Sequence, residues 1–177
     1  CTNDNKNFRR ALINRWFGID RVNAKPSLLG ERVFDIEELG FKYHLNDYSA
    51  ALGLVNLENY KKRLKKRQMI AGLYENELSK VDGISLFNYK SDRKSAYWLF
   101  GFHVKKREKF ILAMKSKGIS TSVIHQGIDR YKVFGGKNSG LINQRKFDRT
   151  QIHIPIHDDI NFEKANYIID QIKLGWQ

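Results

Sequence analysis

The sequence predicts an α+β chain, with a small sheet covered by helices. Three features carry that expectation. From Asn46 to about Ser79, apolar residues recur at three- and four-residue spacing, which is the helical period. The stretch SAYWLFGFHV, residues 95 to 104, is apolar or aromatic at nearly every position, as in a strand covered on both faces. Short strand-like and helical runs then alternate to the end of the chain.

Each element has its own local reason. Phe8, Ala11 and Leu12 sit at helical spacing in NKNFRRALINR, residues 5 to 15, and Gly18 marks the turn out of that helix. Residues 22 to 40 contain Pro26, Gly30 and Gly40 and read as loop, with a short extended piece near Arg32 to Phe34. Asn46 is a preferred N-cap, because its side-chain oxygen accepts a free backbone N–H of the first turn. Asp47 places a negative charge where the helix dipole favours one. Ala50, Ala51, Leu54 and Leu57 begin an apolar stripe that Leu64, Ile70, Leu73, Tyr74 and Leu78 continue. The basic run KKRLKKR, residues 61 to 67, interrupts the stripe, so a bend or two consecutive helices are expected at 59 to 63.

Residues 95 to 104 are expected to form a central strand. Phe110, Ile111 and Met114 define a helix over 106 to 117, which Gly118 ends. ISTSVIH, 119 to 125, reads as a second strand, and the glycines at 135, 136 and 140 mark a loop. Gln151 to Pro155 is a short edge-like strand, since proline cannot donate to a ladder. A final helix starts at Asn161 and carries Phe162, Ala165, Ile168, Ile169 and Ile172 in register.

Composition narrows the function classes. A chain of 177 residues and 20.8 kDa holds one domain, or one domain with part of another. At 41% hydrophobic and 29% charged residues it is expected to fold. A single cysteine, the terminal Cys1, excludes an internal disulfide framework and a four-cysteine zinc site. No run approaches the roughly 20 apolar residues of a membrane span, and no signal peptide is recognisable, so a cytoplasmic setting is expected. The chain opens on Cys1 rather than Met, and is expected to be a piece of something longer. The formal net charge of +13 invites a nucleic-acid reading. However, the six basic residues of KKRLKKR would point in nearly every direction on a helix, which describes a solvated basic surface. Nucleic acid is therefore not the expected partner.

Catalytic patterns are scarce. His153 and His157 flank Pro155, which forbids a regular helix there; on a strand they would stand about 13 Å apart, too far for one ion. No G-x-S-x-G turn and no phosphate-binding glycine loop occurs. The residues thus show no self-sufficient catalytic set. One feature rises above this. Asn46, at a helix N-terminus behind the aromatic-rich FKYHL, can cap with its oxygen and still offer its amide N–H₂ to a phosphate. From the residues alone a plain cap is the preferred reading.

Four segments, in order, change that balance: CTNDNKNFRRALINRWFGIDR (1–21), YHLNDYSAALGLVNLENY (43–60), GISTSVIHQGIDRYKVF (118–134) and IPIHDDINFEKANYIIDQIKLGW (154–176). Together they resemble the carboxyl-terminal half of the DegT/DnrJ/EryC1/StrS family of sugar aminotransferases, which use pyridoxal 5'-phosphate (PLP). The resemblance implies the C-terminal part of a type I PLP-transferase fold, with a small antiparallel-rich sheet, helices over it and a long helix pair near 47–80. It also implies a division into the end of the large PLP domain with its connecting loop (1–40) and a C-terminal small domain (41–177).

The implied activity is transfer of an amino group from glutamate to a nucleotide-linked keto-deoxysugar, in amino-sugar or cell-surface polysaccharide (O-antigen) biosynthesis, by a homodimer. Asn46 matches the residue that reaches the cofactor phosphate of the neighbouring subunit. His125 matches a histidine near the sugar nucleotide, Trp16 and Arg21 match a loop at the pocket edge, and Asp129 lies at a further substrate-side position. The sequence departs from the family at Gln126-Gly127-Ile128. The Schiff-base lysine is expected before residue 1, and Lys6 does not occupy its place, so the chain alone is expected to be inactive and to hold no catalytic residue. Two alternatives stay open: the corresponding half of a same-family PLP-dependent sugar dehydratase, and a non-catalytic basic nucleic-acid or interaction module.

Overall fold

The structure is a computed structural model describing residues 2–176, so Cys1 lies outside the described residues. The chain divides into two compact units, Cys1–Glu58 and Asn59–Gln177. The division after residue 40 implied by the resemblance refers to the domains of a whole transferase; the change in compactness falls at 58/59.

In the first unit, helix α1 (Asn5–Asn14) is capped by Asp4, whose carboxylate accepts the Lys6 N–H at 2.8 Å. The chain turns out of α1 at Phe17 and Gly18, both with positive φ, as Gly18 predicts. It then returns alongside its own start: the Phe41 N–H donates to the Asn14 carbonyl at 2.7 Å and Tyr43 to Arg15 at 2.9 Å. This crossing needs glycine. A Cβ on Gly40 would lie 1.9 Å from the Gly18 nitrogen. Between the two glycines, β1 (Lys25–Pro26) and β2 (Arg32–Val33) pair antiparallel. The extended piece near Arg32 is thus present, and its partner strand was not anticipated.

Helix α2 (Asp47–Glu58) follows the Asn46 cap. None of its residues is buried, and Leu54 and Leu57 stay 67% and 64% exposed. The stripe that predicts the helix is therefore left unburied among the described residues.

The second unit opens with α3 (Tyr60–Leu78), separated from α2 at Asn59, within the expected break. It buries Ile70, Ala71, Tyr74 and Leu78. An antiparallel sheet of order β3-β4-β5 follows: β3 (Ile84–Leu86), β4 (Phe100–Val104) and β5 (Gln151–Ile154). Phe102 faces Leu86 on one side and Ile152 on the other. Alternate β4 residues Phe100, Phe102 and Val104 join Tyr74, Phe110, Met114 and Ile169 in the core. Helices α4 (Arg107–Ser116) and α6 (Phe162–Lys173) supply the rest, and Asn161 caps α6 through the Lys164 N–H at 2.9 Å. Helix α5 (Ile142–Thr150) lies against the other sheet face, where Phe147 meets Phe87 and His103.

Three expectations change. The central strand starts only at Phe100, because Tyr97 takes a positive φ and its hydroxyl donates to Glu75 at 2.9 Å. Residues 119–125 form one bridge, Ser122 to His153, rather than a strand; His125 turns the chain away with φ 62°. Strand β5 ends before Pro155 and is fully buried, with Ser122 covering its outer edge. No helix among the described residues is long and apolar enough to cross a membrane.

Candidate functional site

The residues singled out in the sequence fall into two groups, one in each unit. In the first unit the turn after α1 presents Trp16. Its ring meets Phe17 and His44 edge-on, each at 5.1 Å. The Arg21 guanidinium lies 5.5 Å and the Lys42 ammonium 6.0 Å from the ring centroid. Two cations on one indole are held by its negative face. Trp16, Arg21, His44 and Asp20 line a small cavity of about 110 Å³. Asp20 accepts N–H bonds from Val22 and Asn23 and from the Asn23 amide, which holds its carboxyl below the usual range. Trp16 and Arg21 are thus brought together, as a cation–π pair.

Asn46 ends the same segment. Its Oδ1 accepts the Ser49 N–H at 2.8 Å, and its own carbonyl accepts the Ala50 N–H at 2.9 Å. The cap therefore consumes the oxygen, while the exposed amide N–H₂ has no partner among the described residues. A 12-residue helix stands behind it, so its remaining first-turn N–H groups and dipole point the same way. This donor set suits a phosphate oxygen.

The second group surrounds the Ser122–His153 bridge. His125 is exposed, holds a left-handed backbone (φ 62°) and lies 5.8 Å from the Trp98 ring. Such a conformation in a residue with a side chain is sparsely populated and is characteristic of sites whose surroundings over-determine it. His153 is buried; its Nδ1–H donates to the Ser122 carbonyl at 3.2 Å. Burial, reinforced by His125, pushes its pKa below that of a free imidazole. Trp98, Ser120, Thr121, Ser122, His153 and His157 line an open groove of about 300 Å³. Hydroxyls, imidazoles and an exposed indole are groups that can pair with the hydroxyls and apolar face of a sugar.

Asp129, the further substrate-side candidate, is engaged within its own loop. Its carboxylate accepts the Asn138 N–H at 2.9 Å and pairs with Arg145, and both partners hold its pKa low. It pins the 127–140 loop. Trp98 and the arginines around Arg145 were not identified from sequence, and His153 was weighed only as a metal ligand. The β4–β5 pairing and the Ser122 bridge bring Trp98 and His153 to one groove, the arginines meet around a separate cavity, and no local motif marks either.

Comparison with known proteins follows this geometry. A model of the DegT/DnrJ/EryC1/StrS aminotransferase family matches residues 1–173. A UDP-4-amino-4,6-dideoxy-N-acetyl-beta-L-altrosamine transaminase of Campylobacter jejuni is 29% identical over 167 residues, covering 87% of this chain and 44% of the relative. Among solved structures, the sugar aminotransferase CalS13 from Micromonospora echinospora aligns with a TM-score of 0.84 and 27% identity over 93% of this chain and 43% of that one. AtS13 from Actinomadura melliaura aligns with a TM-score of 0.88 and 25% identity, over 98% of this chain and 45% of that one. The chain spans less than half the length of the relatives it matches.

Proposed function

Because this chain belongs to the DegT/DnrJ/EryC1/StrS aminotransferase family, we propose that it is the carboxyl-terminal portion of a PLP-dependent enzyme that moves an amino group from glutamate to a nucleotide-linked keto-deoxysugar. In this reading residues 1–40 end the large domain and 41–177 form the small one. The Schiff-base lysine comes from outside these 177 residues, and the active unit is a homodimer. The observation that carries the reading is the Asn46 amide at the α2 N-terminus, which has no partner among the described residues.

PLP, when bound, supplies the electron sink for the carbon chemistry. The residues of this chain bind and orient. Asn46 donates its amide N–H to a phosphate oxygen of the neighbouring subunit's cofactor, aided by the first-turn N–H groups of α2. Trp16, with its face held by Arg21, forms a wall at the pocket edge. His125 and Trp98 receive the sugar, and the buried His153 holds the Ser122 segment in place beneath them. Asp129 serves by fixing the 127–140 loop through Arg145. Names of similar proteins agree in substrate class: besides the Campylobacter jejuni transaminase, a dTDP-4-amino-4,6-dideoxy-D-glucose transaminase of Escherichia coli is 25% identical over 134 residues.

The test is Asn46→Ala in the full-length parent, with PLP affinity followed by absorbance titration. Loss of a charge-assisted hydrogen bond is worth about 1.5–3 kcal/mol, so affinity is expected to fall roughly 10- to 100-fold. Unchanged affinity refutes the assignment.

A further inference from the structure

The second unit gathers five cationic side chains around one cavity. Arg107 opens α4, Arg130 ends a 3₁₀ turn (Ile128–Arg130), Lys137 lies in the following loop, and Arg145 and Arg149 stand one turn apart on α5. With Asp148 they line a space of about 580 Å³. An adjoining hollow shares Arg107 and Arg149 and adds Lys106, Lys109 and the acidic Glu108.

Two of the five are committed to holding the fold. Arg145 pairs with Asp129, and with Asp148 at 3.4 Å. Arg107 donates to the backbone carbonyls of Asp148 and Gln151. The Asp148 carboxylate is itself occupied by the Gly127 N–H at 3.2 Å and the Gln144 amide at 2.7 Å. The guanidiniums of Arg130 and Arg149 and the ammonium of Lys137 have no partner among the described residues. Five cations thus face two carboxylates, and three positive charges remain uncompensated.

Like charges converging on a concave surface repel one another and raise the local concentration of anions. Guanidinium forks match the paired oxygens of phosphate. The space falls within the usual range for a small-molecule site. It is built from one loop and two helices, which suits a compact anion better than the extended backbone of a nucleic acid.

We propose that this cavity binds a di- or oligophosphate through Arg130, Lys137 and Arg149, on a loop that Asp129 and Arg145 hold in shape. The phosphate belongs either to a nucleotide-linked substrate or to a free oligophosphate. The site rests on charge and cavity and does not require the cofactor reading.

Calorimetric titration of the 177-residue chain with inorganic pyrophosphate tests it, at about 50 mM and about 150 mM salt. Saturable one-site binding is expected, weaker at the higher salt. Arg130→Glu combined with Arg149→Glu should weaken it at least tenfold, while the same charge change at Lys61→Glu and Lys62→Glu should alter it less than about twofold. Lys137→Gln, in an exposed loop, should cost several-fold with an unchanged melting curve. Absence of saturable binding, or equal loss in both double variants, overturns the proposal. Uridine diphosphate binding at least tenfold tighter than pyrophosphate, and lost in the Arg130/Arg149 variant, assigns the site to a nucleotide substrate; equal affinities assign it to a free oligophosphate. The Asn46→Ala measurement on PLP reads a different ligand, so either result can fail without the other.

Discussion

At the scale of single residues, two histidines set a pH dependence. His103 and His153 are each depressed by burial, His103 further by Lys146 and His153 by His125. His103 donates through Nδ1 to the Thr150 hydroxyl at 2.8 Å, since that hydroxyl's own proton goes to the Lys146 carbonyl. Burial therefore disfavours the protonated form of both histidines in the folded chain. Below the free-imidazole value of 6.5 the unfolded chain binds more protons than the folded one. Stability is thus complete above about that pH and lost as pH falls beneath it. The urea midpoint is expected to drop between roughly pH 7 and pH 5.5, and His153→Asn should flatten that slope; an unchanged slope in the variant would remove His153 from the account. Some of this scale was legible beforehand. Asn46 and Asn161 are caps because of local chemistry alone. The depression at His153 was not legible, because it depends on the packing that buries its ring and on the nearby His125.

Among the elements, α2 and β4 are opposites. Phe102 of β4 is fully buried between two strands and against Phe110. Phe102→Ala is expected to cost about 3–5 kcal/mol, read from urea unfolding followed by circular dichroism. Leu54 of α2 carries an equally apolar side chain but stays 67% exposed. Leu54→Ala should change the same midpoint by no more than about 0.5 kcal/mol in this chain. Helical spacing identified α2 and a continuous apolar run identified β4, but neither could tell which apolar face finds a cover. Helix α5 was missed for the converse reason. Its sequence, INQRKFDRT, has only Ile142 and Phe147 as apolar residues, and its place is fixed by Phe147 stacking on Phe87. The short β3 was missed because three residues hold too little pattern; pairing with β4 makes it a strand.

For the molecule as a whole, the net charge of +13 is divided among separate tasks. Within KKRLKKR, Arg63 and Arg67 face Asp158, and Lys66 donates to its carbonyl, so part of that run holds α3 to the turn before α6. The remaining cations of the second unit include those around the α4–α5 cavity. Such a distribution predicts no retained mobility shift of duplex DNA at about 0.15 M salt, where exposed charges are screened beyond about 8 Å. A persistent shift at that salt would restore the nucleic-acid reading.

The sequence alone determined the α+β class, the break between α2 and α3, both asparagine caps and the family, because each is written in local spacing or in motifs along the chain. Only the tertiary structure decided that residues 119–125 bridge instead of forming a strand, that Asp129 is spent on Arg145, and that distant cations share one cavity. Those outcomes depend on which groups meet after the chain reverses at 127–140, and that meeting is set by packing across the sheet rather than by neighbours in sequence.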